Sequence, residues 1–188
     1  RTTDGGATYG QVAKLTASDA AAADEFGWSV AIEGNTVVVG ARFEDSYTGA
    51  VYVFRTSEGG ATYDQVAKLT TADAAADHFG RSVAINGGLV AIGAGTTGAG
   101  GAVYVFRTTD GGATYTQVAK LTADDGAAGD GLGWSMAMDG DTIVAGAYNN
   151  DDGGSNSGSA YVFRTTDGWD THTEIKLTAS DDAAGDKF

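Results

Sequence analysis

The sequence has no cysteine and no proline. The first absence excludes a disulfide framework and any Cys-bearing metal or redox site. Histidine is nearly missing too, and His78 and His172 fall at unrelated places, which suggests neither a catalytic dyad nor a zinc site. Cations are scarce: 11 Lys and Arg stand against 25 Asp and Glu, for a formal charge of -14. Such a surface repels phosphate backbones and anionic lipids, so neither a nucleic-acid partner nor a membrane surface is expected. No apolar run reaches the roughly 18 residues of a transmembrane helix, so no membrane insertion is expected either. There is no Asn-x-Ser/Thr acceptor for N-glycosylation. An acidic chain rich in Thr, Asp and Gly fits an extracellular or cell-surface setting.

What the sequence does have is 30 glycines and a repeat. Tyr-Val-Phe-Arg-Thr recurs at Tyr52–Thr56, Tyr104–Thr108 and Tyr161–Thr165, and the arginines Arg1, Arg55, Arg107 and Arg164 are spaced by 54, 52 and 57 residues. A period of about 50 residues points to a propeller, solenoid or array. Each unit reads as four strands. The first is Phe26–Ile32, Phe79–Ile85 or Leu132–Met138, closed by Glu33-Gly34, Asn86-Gly87 or Asp139-Gly140, dipeptides suited to a two-residue hairpin. The second is Thr36–Ala41, Leu89–Ala94 or Thr142–Ala147, Val-rich and expected to be buried on both faces. The third is Ala50–Phe54, Ala102–Phe106 or Ala160–Phe163. The fourth is Tyr63–Leu69 or Tyr115–Leu121, with an orphan copy at Tyr9–Leu15, and its alternation predicts a half-solvated outer strand.

The fold class is therefore all-β, a β-propeller of four-stranded antiparallel blades of about 53 residues. Residues 1-25 supply the outer strand and loop of a preceding blade; 26-78, 79-131 and 132-187 are blades, and 188 opens a further repeat. Three blades do not close a ring, since propellers use about four to eight. Either this is a segment of a longer chain or copies join head to tail. The near-identity of the units favours an array, in which each surface already fits its neighbour.

Phe26-Gly27 and Phe79-Gly80, each followed by Gly40-Ala41 and Gly93-Ala94, with Gly146-Ala147 in the last unit, resemble the FG-GAP repeat. That repeat builds the seven-bladed propeller of integrin α subunits and of many surface proteins, so the resemblance implies part of a seven-bladed ring. The Pro of the signature is missing, and the family's metal-binding hairpin between first and second strands is here a two-residue turn, so calcium is not carried over to that position. A second resemblance is to the Asp box of sialidase-like propellers. Thr2–Tyr9 and Thr108–Tyr115 fit it, Thr56–Tyr63 fits with Glu58 in place of Asp, and Thr165–His172 is a degenerate copy whose turn is open to differ. The resemblance makes Asp4, Glu58, Asp110 and Asp167 structural, the carboxylate accepting backbone N–H groups across the turn.

Sialidase-like catalysis needs an arginine cluster in the central funnel. Four of the six arginines are repeat copies, and Arg81, at the head of a first strand, stands as a single channel-lining candidate. No catalytic residue is assigned and no enzyme is expected. In an up-and-down blade the loops after second and fourth strands share one end. That end gathers Asp19, Asp24, Glu44, Asp45, Asp73, Asp77, Asp124, Asp130, Asp151 and Asp152 as a candidate ligand-binding face. Hard oxygen ligands of this kind suit Ca²⁺; the alternative is that each Asp caps its own loop. The expected function is a non-enzymatic extracellular adhesion or structural module contacting another protein or further copies of itself. A Ca²⁺- or carbohydrate-binding module is the alternative, with a sialidase-like glycoside hydrolase behind it.

Overall fold

The computed structural model describes residues 5–8, 10–73, 77–95 and 100–188. Arg1, Asp4, the Asp-box copy at Thr2–Tyr9 as a unit and the centre of the Asp73–Asp77 loop lie outside them. Among the described residues, twelve strands form three antiparallel sheets, each a meander in which neighbours in sequence are neighbours in space. The first sheet is β1 (Phe26–Glu33), β2 (Thr36–Ala41), β3 (Ala50–Arg55) and β4 (Asp64–Leu69). The second is β5 (Ser82–Asn86), β6 (Leu89–Ala94), β7 (Ala102–Arg107) and β8 (Thr116–Leu121). The third is β9 (Leu132–Asp139), β10 (Thr142–Ala147), β11 (Ser159–Arg164) and β12 (Thr173–Leu177). These are the blades that the repeat predicts.

Of the orphan outer strand Tyr9–Leu15, Tyr9 lies outside the described residues and the others form no strand. Residues 10–17 run without sheet pairing. A fourth strand needs the third strand of its own blade to pair with, and no described strand precedes this segment. Leu15 and Ala17 instead pack on the outer face of the first blade, beside Tyr52 and Phe54.

The core lies between blades. Side chains alternate along each strand, so Val38, Val51 and Val53 face the second blade and meet Phe79, Ile92, Tyr104 and Phe106 there. The second blade repeats the pattern, presenting Ala91, Val103, Val105 and Leu121 to Leu132, Ile143, Tyr161 and Phe163 of the third. Burial on both faces, as expected, holds along β6; β10 alternates instead, because no described strand covers its far side.

The two junctions are near copies. The Ser29 hydroxyl donates to the Gly80 carbonyl at 2.7 Å, and Ser82 to Gly133 at 2.7 Å. The Arg55 guanidinium donates to the Gly111 carbonyl, and Arg107 to Gly168. The Gly87 N–H donates to the Glu33 carboxylate at 3.0 Å, and Gly140 to the Asn86 side chain at 3.2 Å. Gly40 and Gly93 lie where these approaches are tightest. A methyl group on Gly93 would overlap the Gly133 carbonyl oxygen and the Ser82 hydroxyl, and one on Gly40 would meet Gly80 and Ser29 in the same way. Gly40 and Gly93 thus face Gly80 and Gly133, the glycines that follow the next blade's Phe or Leu. That second glycine also needs a positive φ, 89° at Gly80 and 85° at Gly133.

Candidate binding face

The expected convergence of the loops that follow second and fourth strands is present at one end of the blades, and it is charge-compensated. In the first blade the Lys68 ammonium bonds both Asp19, from the loop ahead of β1, and Glu44, from the turn after β2, at 2.6 Å each. The Tyr52 hydroxyl donates to the other Asp19 oxygen at 2.8 Å. The third blade repeats the set with Lys176 between Asp125 and Asp152, and with Tyr161 donating to Asp125 at 2.8 Å. The second has Lys120 on Asp73 at 2.6 Å. A fourth-strand lysine and a third-strand tyrosine of one blade therefore clamp an aspartate delivered by the segment before it.

Electrostatics follow this geometry. The Lys120 and Thr71 hydrogen bonds bring Asp73 down to about 2. Lys68 hydrogen bonding, and then that of Tyr52, lowers Asp19; Lys176 does the same for Asp125. Burial opposes the charge on Lys68, but the Asp19 and Glu44 hydrogen bonds win and raise its pKa. Burial, then the bond to Asp19, raises the Tyr52 phenol, and Tyr161 behaves likewise towards Asp125.

The remaining predicted acids mostly cap their own loops. Asp24 accepts the Ala21 N–H at 2.7 Å, Asp130 the Ala127 N–H at 2.8 Å, and Asp151 the Asn156 N–H at 2.6 Å. Asp130 is buried and also accepts from the Asn150 amide at 3.2 Å. Asp45 lies in the short turn Glu44–Tyr47, at a left-handed φ of 46°. Asp77 sits in a small cleft with Tyr104 and Lys120. Asp124 is displaced from the role its neighbours play: Asp125 takes the lysine, while the Asp124 backbone N–H donates to Glu174. The spacing Lys14…Asp19, Lys68…Asp73, Lys120…Asp125 carried that signal. Among the described residues, no three His, Asp or Glu side chains converge as a metal site.

At the opposite end, Asp110 closes the hairpin between β7 and β8. Its carboxylate accepts the Ala113 N–H at 3.0 Å, the Thr114 N–H at 2.9 Å and the Thr114 hydroxyl at 2.6 Å. These bonds, Thr114 foremost, hold its pKa far below the usual carboxylate range. Asp167 makes the same contacts to Thr171, so the degenerate copy keeps its turn. It does so with Trp169, at φ 78° and 2% exposed, where the other copies have Gly60 and Gly112. Glu58 accepts only from the Thr62 hydroxyl, at 3.1 Å, among these contacts.

One constellation was not anticipated. Trp28, Arg81 and Trp134 occupy the same place in successive repeats, two residues after each Phe or Leu, at the loop end of the inner strands. The Arg42 guanidinium lies 3.3 Å from the centre of the Trp28 ring and 4.3 Å from that of Phe43. The Arg81 guanidinium lies 2.9 Å from the centre of Trp134 and 5.7 Å from that of Trp28. Trp134 also meets Tyr148 at 4.1 Å between centroids. Arg42 donates to Glu25 at 2.6 Å. Burial, then the nearby Arg42 charge, pushes Arg81 down to about 10. The same causes in the same order, burial and then Arg42, lower His78, whose ring lies 5.1 Å from Phe43. Arg81 is thus not a single channel-lining arginine; strand order brings the end of β2 beside the head of β5.

The model of the FG-GAP repeat matches residues 9–54, 63–106 and 115–163. The crystal structure of Saccharomyces cerevisiae Sqt1 is similar in fold, with a TM-score of 0.55 at 12% sequence identity. The match covers 85% of this chain and 37% of that one, so the chain spans little more than a third of the solved structure it resembles. No curated protein matches. With blade-sized matches in register over most of its length, the chain belongs to the FG-GAP repeat family.

Proposed function

We propose that this chain is a non-enzymatic interaction module of an extracellular or cell-surface protein, serving adhesion or structural assembly through the loop end of its blades. FG-GAP propellers are interaction modules as a class, and the acidic composition agrees with a surface setting. The observation that carries the reading is a division of labour among side chains. At the two blade junctions and the loop end, residues that recur from repeat to repeat are engaged within the chain: the Lys–Asp–Tyr clamps, the serine bonds and the arginine bonds to hairpin carbonyls. Residues that differ between repeats gather at one end, among them Trp28, Arg42, Tyr47, Arg81 and Trp134. Trp28 is 48% exposed and Tyr47 54%. Trp, Tyr and Arg are the types that dominate binding energy at protein interfaces.

Cross-linking of the protein in place at its native source tests this. Lysine-reactive cross-links from Lys68, Lys120 or Lys176 to another polypeptide, or to a second copy, are the expected result. Carboxylate-reactive cross-links to a partner confined to the hairpin end, at Glu58, Asp110 or Asp167, or no cross-link beyond the chain itself, would refute it.

A further inference from the structure

Among the described residues, the buried and half-buried arginines each bond a carboxylate or a carbonyl, with one exception. Lys68, Lys120, Lys176 and Arg42 each hold a carboxylate. Arg55 and Arg107 donate to backbone carbonyls. Arg81 is only 7% exposed, and its Nε–H is buried without an acceptor. Among the described residues none accepts a hydrogen bond from its guanidinium. Scarcity of carboxylates is no explanation in a chain with 25 of them. An unspent, buried donor is costly, because it has given up water for nothing in return.

The surroundings show what would satisfy it. Arg81 lies between two tryptophans, stacked on Trp134 and nearer the second ring than a water layer would allow. Stacking fixes the guanidinium plane and leaves its N–H edge as the group that can still bond. That edge matches a carboxylate, which accepts two parallel bonds from it. Arg42, stacked on Trp28 and paired with Glu25, lies beside it. The tryptophan faces are already engaged by Arg42, Arg81 and Tyr148 of this chain, which removes the flat platform a sugar ring would use. The cluster therefore suits an acidic side chain on a polypeptide better than an acidic glycan.

We propose that the loop end of this chain binds a partner protein through a carboxylate side chain seated on Arg81, with Arg42, Trp28 and Trp134 forming the walls of the seat. This deepens the interaction reading above and rests on it.

Side-chain NMR of the ¹⁵N-labelled chain tests the seat directly, through the Arg81 Nε–H and the indole N–H signals of Trp28 and Trp134. The probes are acetyl-Gly-Glu-Gly-Asp-Gly-amide, the same peptide with Gln and Asn, and trigalacturonate. The acidic peptide is expected to shift all three signals and the neutral peptide none. Arg81→Lys, which keeps the charge but loses the fork, is expected to weaken the response at least about tenfold. Silence towards the acidic peptide up to about 10 mM, beyond the range of a useful single contact, overturns the proposal. So does an equal response to the neutral peptide, or a response to trigalacturonate alone. If Arg81→Lys does not fold, the comparison of the two peptides on the unaltered chain still decides. A partner cross-linked at the loop end while Arg81 stays silent would leave the interaction function standing and remove this seat.

Discussion

Gly93→Ala isolates the contact that joins one blade to the next. The backbone at Gly93 does not need a positive φ, so the substitution acts through space alone. Its new methyl would overlap the Gly133 carbonyl oxygen and the Ser82 hydroxyl, and lie 3.0 Å from the Gly133 carbonyl carbon. The carbonyl is backbone, held by the third blade, and has no rotamer in which to escape. Forcing the blades apart at this point costs about 1–3 kcal/mol, as overpacking in a filled core does. The Ser82–Gly133 hydrogen bond breaks with it, adding roughly 1 kcal/mol. A total of about 2–4 kcal/mol lowers the melting temperature of a chain this size by roughly 5–15 °C. Gly146→Ala is the internal control, because a methyl there meets only the Ser135 hydroxyl at 2.7 Å and the Ser135 carbonyl at 3.9 Å. It should cost no more than about 1 kcal/mol. Urea and thermal unfolding of the two variants, with amide exchange along β6 and β9, give the comparison. Equal losses at the two sites would refute the account, since the cost would then arise within a blade and not between blades.

Acid should weaken the clamps. Asp73 is held near 2 against an ordinary value near 4, so its contribution is complete above about pH 4 and is lost as pH falls towards 2. Both partners are well exposed, at 38% and 51%, so the loss is under about 1 kcal/mol, and Asp73→Asn should flatten the urea midpoint between pH 5 and pH 2.5. Trp169→Gly removes a buried indole, costing about 3–5 kcal/mol, but relieves a left-handed residue worth about 1–2 kcal/mol; calorimetry should show a net loss of roughly 1–4 kcal/mol. Glu58→Asp should slow exchange of the amides at Ala61 and Thr62, by giving the first hairpin the contacts that Asp110 makes in the second. Calcium at millimolar levels should leave the melting temperature unchanged, because lysines and N–H groups already occupy the loop carboxylates; a clear rise that chelation reverses would restore the oxygen-ligand reading.

What could be read from the sequence was what repeats. The strands of each blade follow from Tyr-Val-Phe-Arg-Thr and its flanking turns, and the meeting of the loops that follow second and fourth strands follows from strand alternation. The clamps were half legible. Lys120 and Asp125 keep a fixed interval, yet each lysine bonds the aspartate of the preceding segment, some 49 residues back for Lys68 and Asp19. Asp124 was thus expected on the face, while Asp125 beside it, which takes Lys176, was not. The aromatic and cationic row was hidden for the opposite reason. Trp28, Arg81 and Trp134 share a repeat position but not a residue type, and a search for constancy passes over them. The unformed outer strand has a third cause: Gln11, Val12 and Ala13 have the alternation of a strand, but pattern alone supplies no hydrogen-bonding partner.

The junctions also have a direction. In every serine, arginine and Glu33 or Asn86 contact, the side chain belongs to the earlier blade and the backbone group to a glycine of the later one: Ser29 to Gly80, Arg55 to Gly111, Glu33 to Gly87, and again Ser82 to Gly133 and Arg107 to Gly168. Asp19 likewise precedes the Lys68 it holds. A ribosome releases the plugs before the sockets. Each blade leaving the tunnel meets a finished template from its predecessor, and closing the next junction waits on a few glycines of the newcomer. Growth from the N-terminal side is thus guided at every step. A blade altered at Gly80, Gly87 and Gly111 but keeping Gly93 would still template the one after it, while failing to seat on the one before.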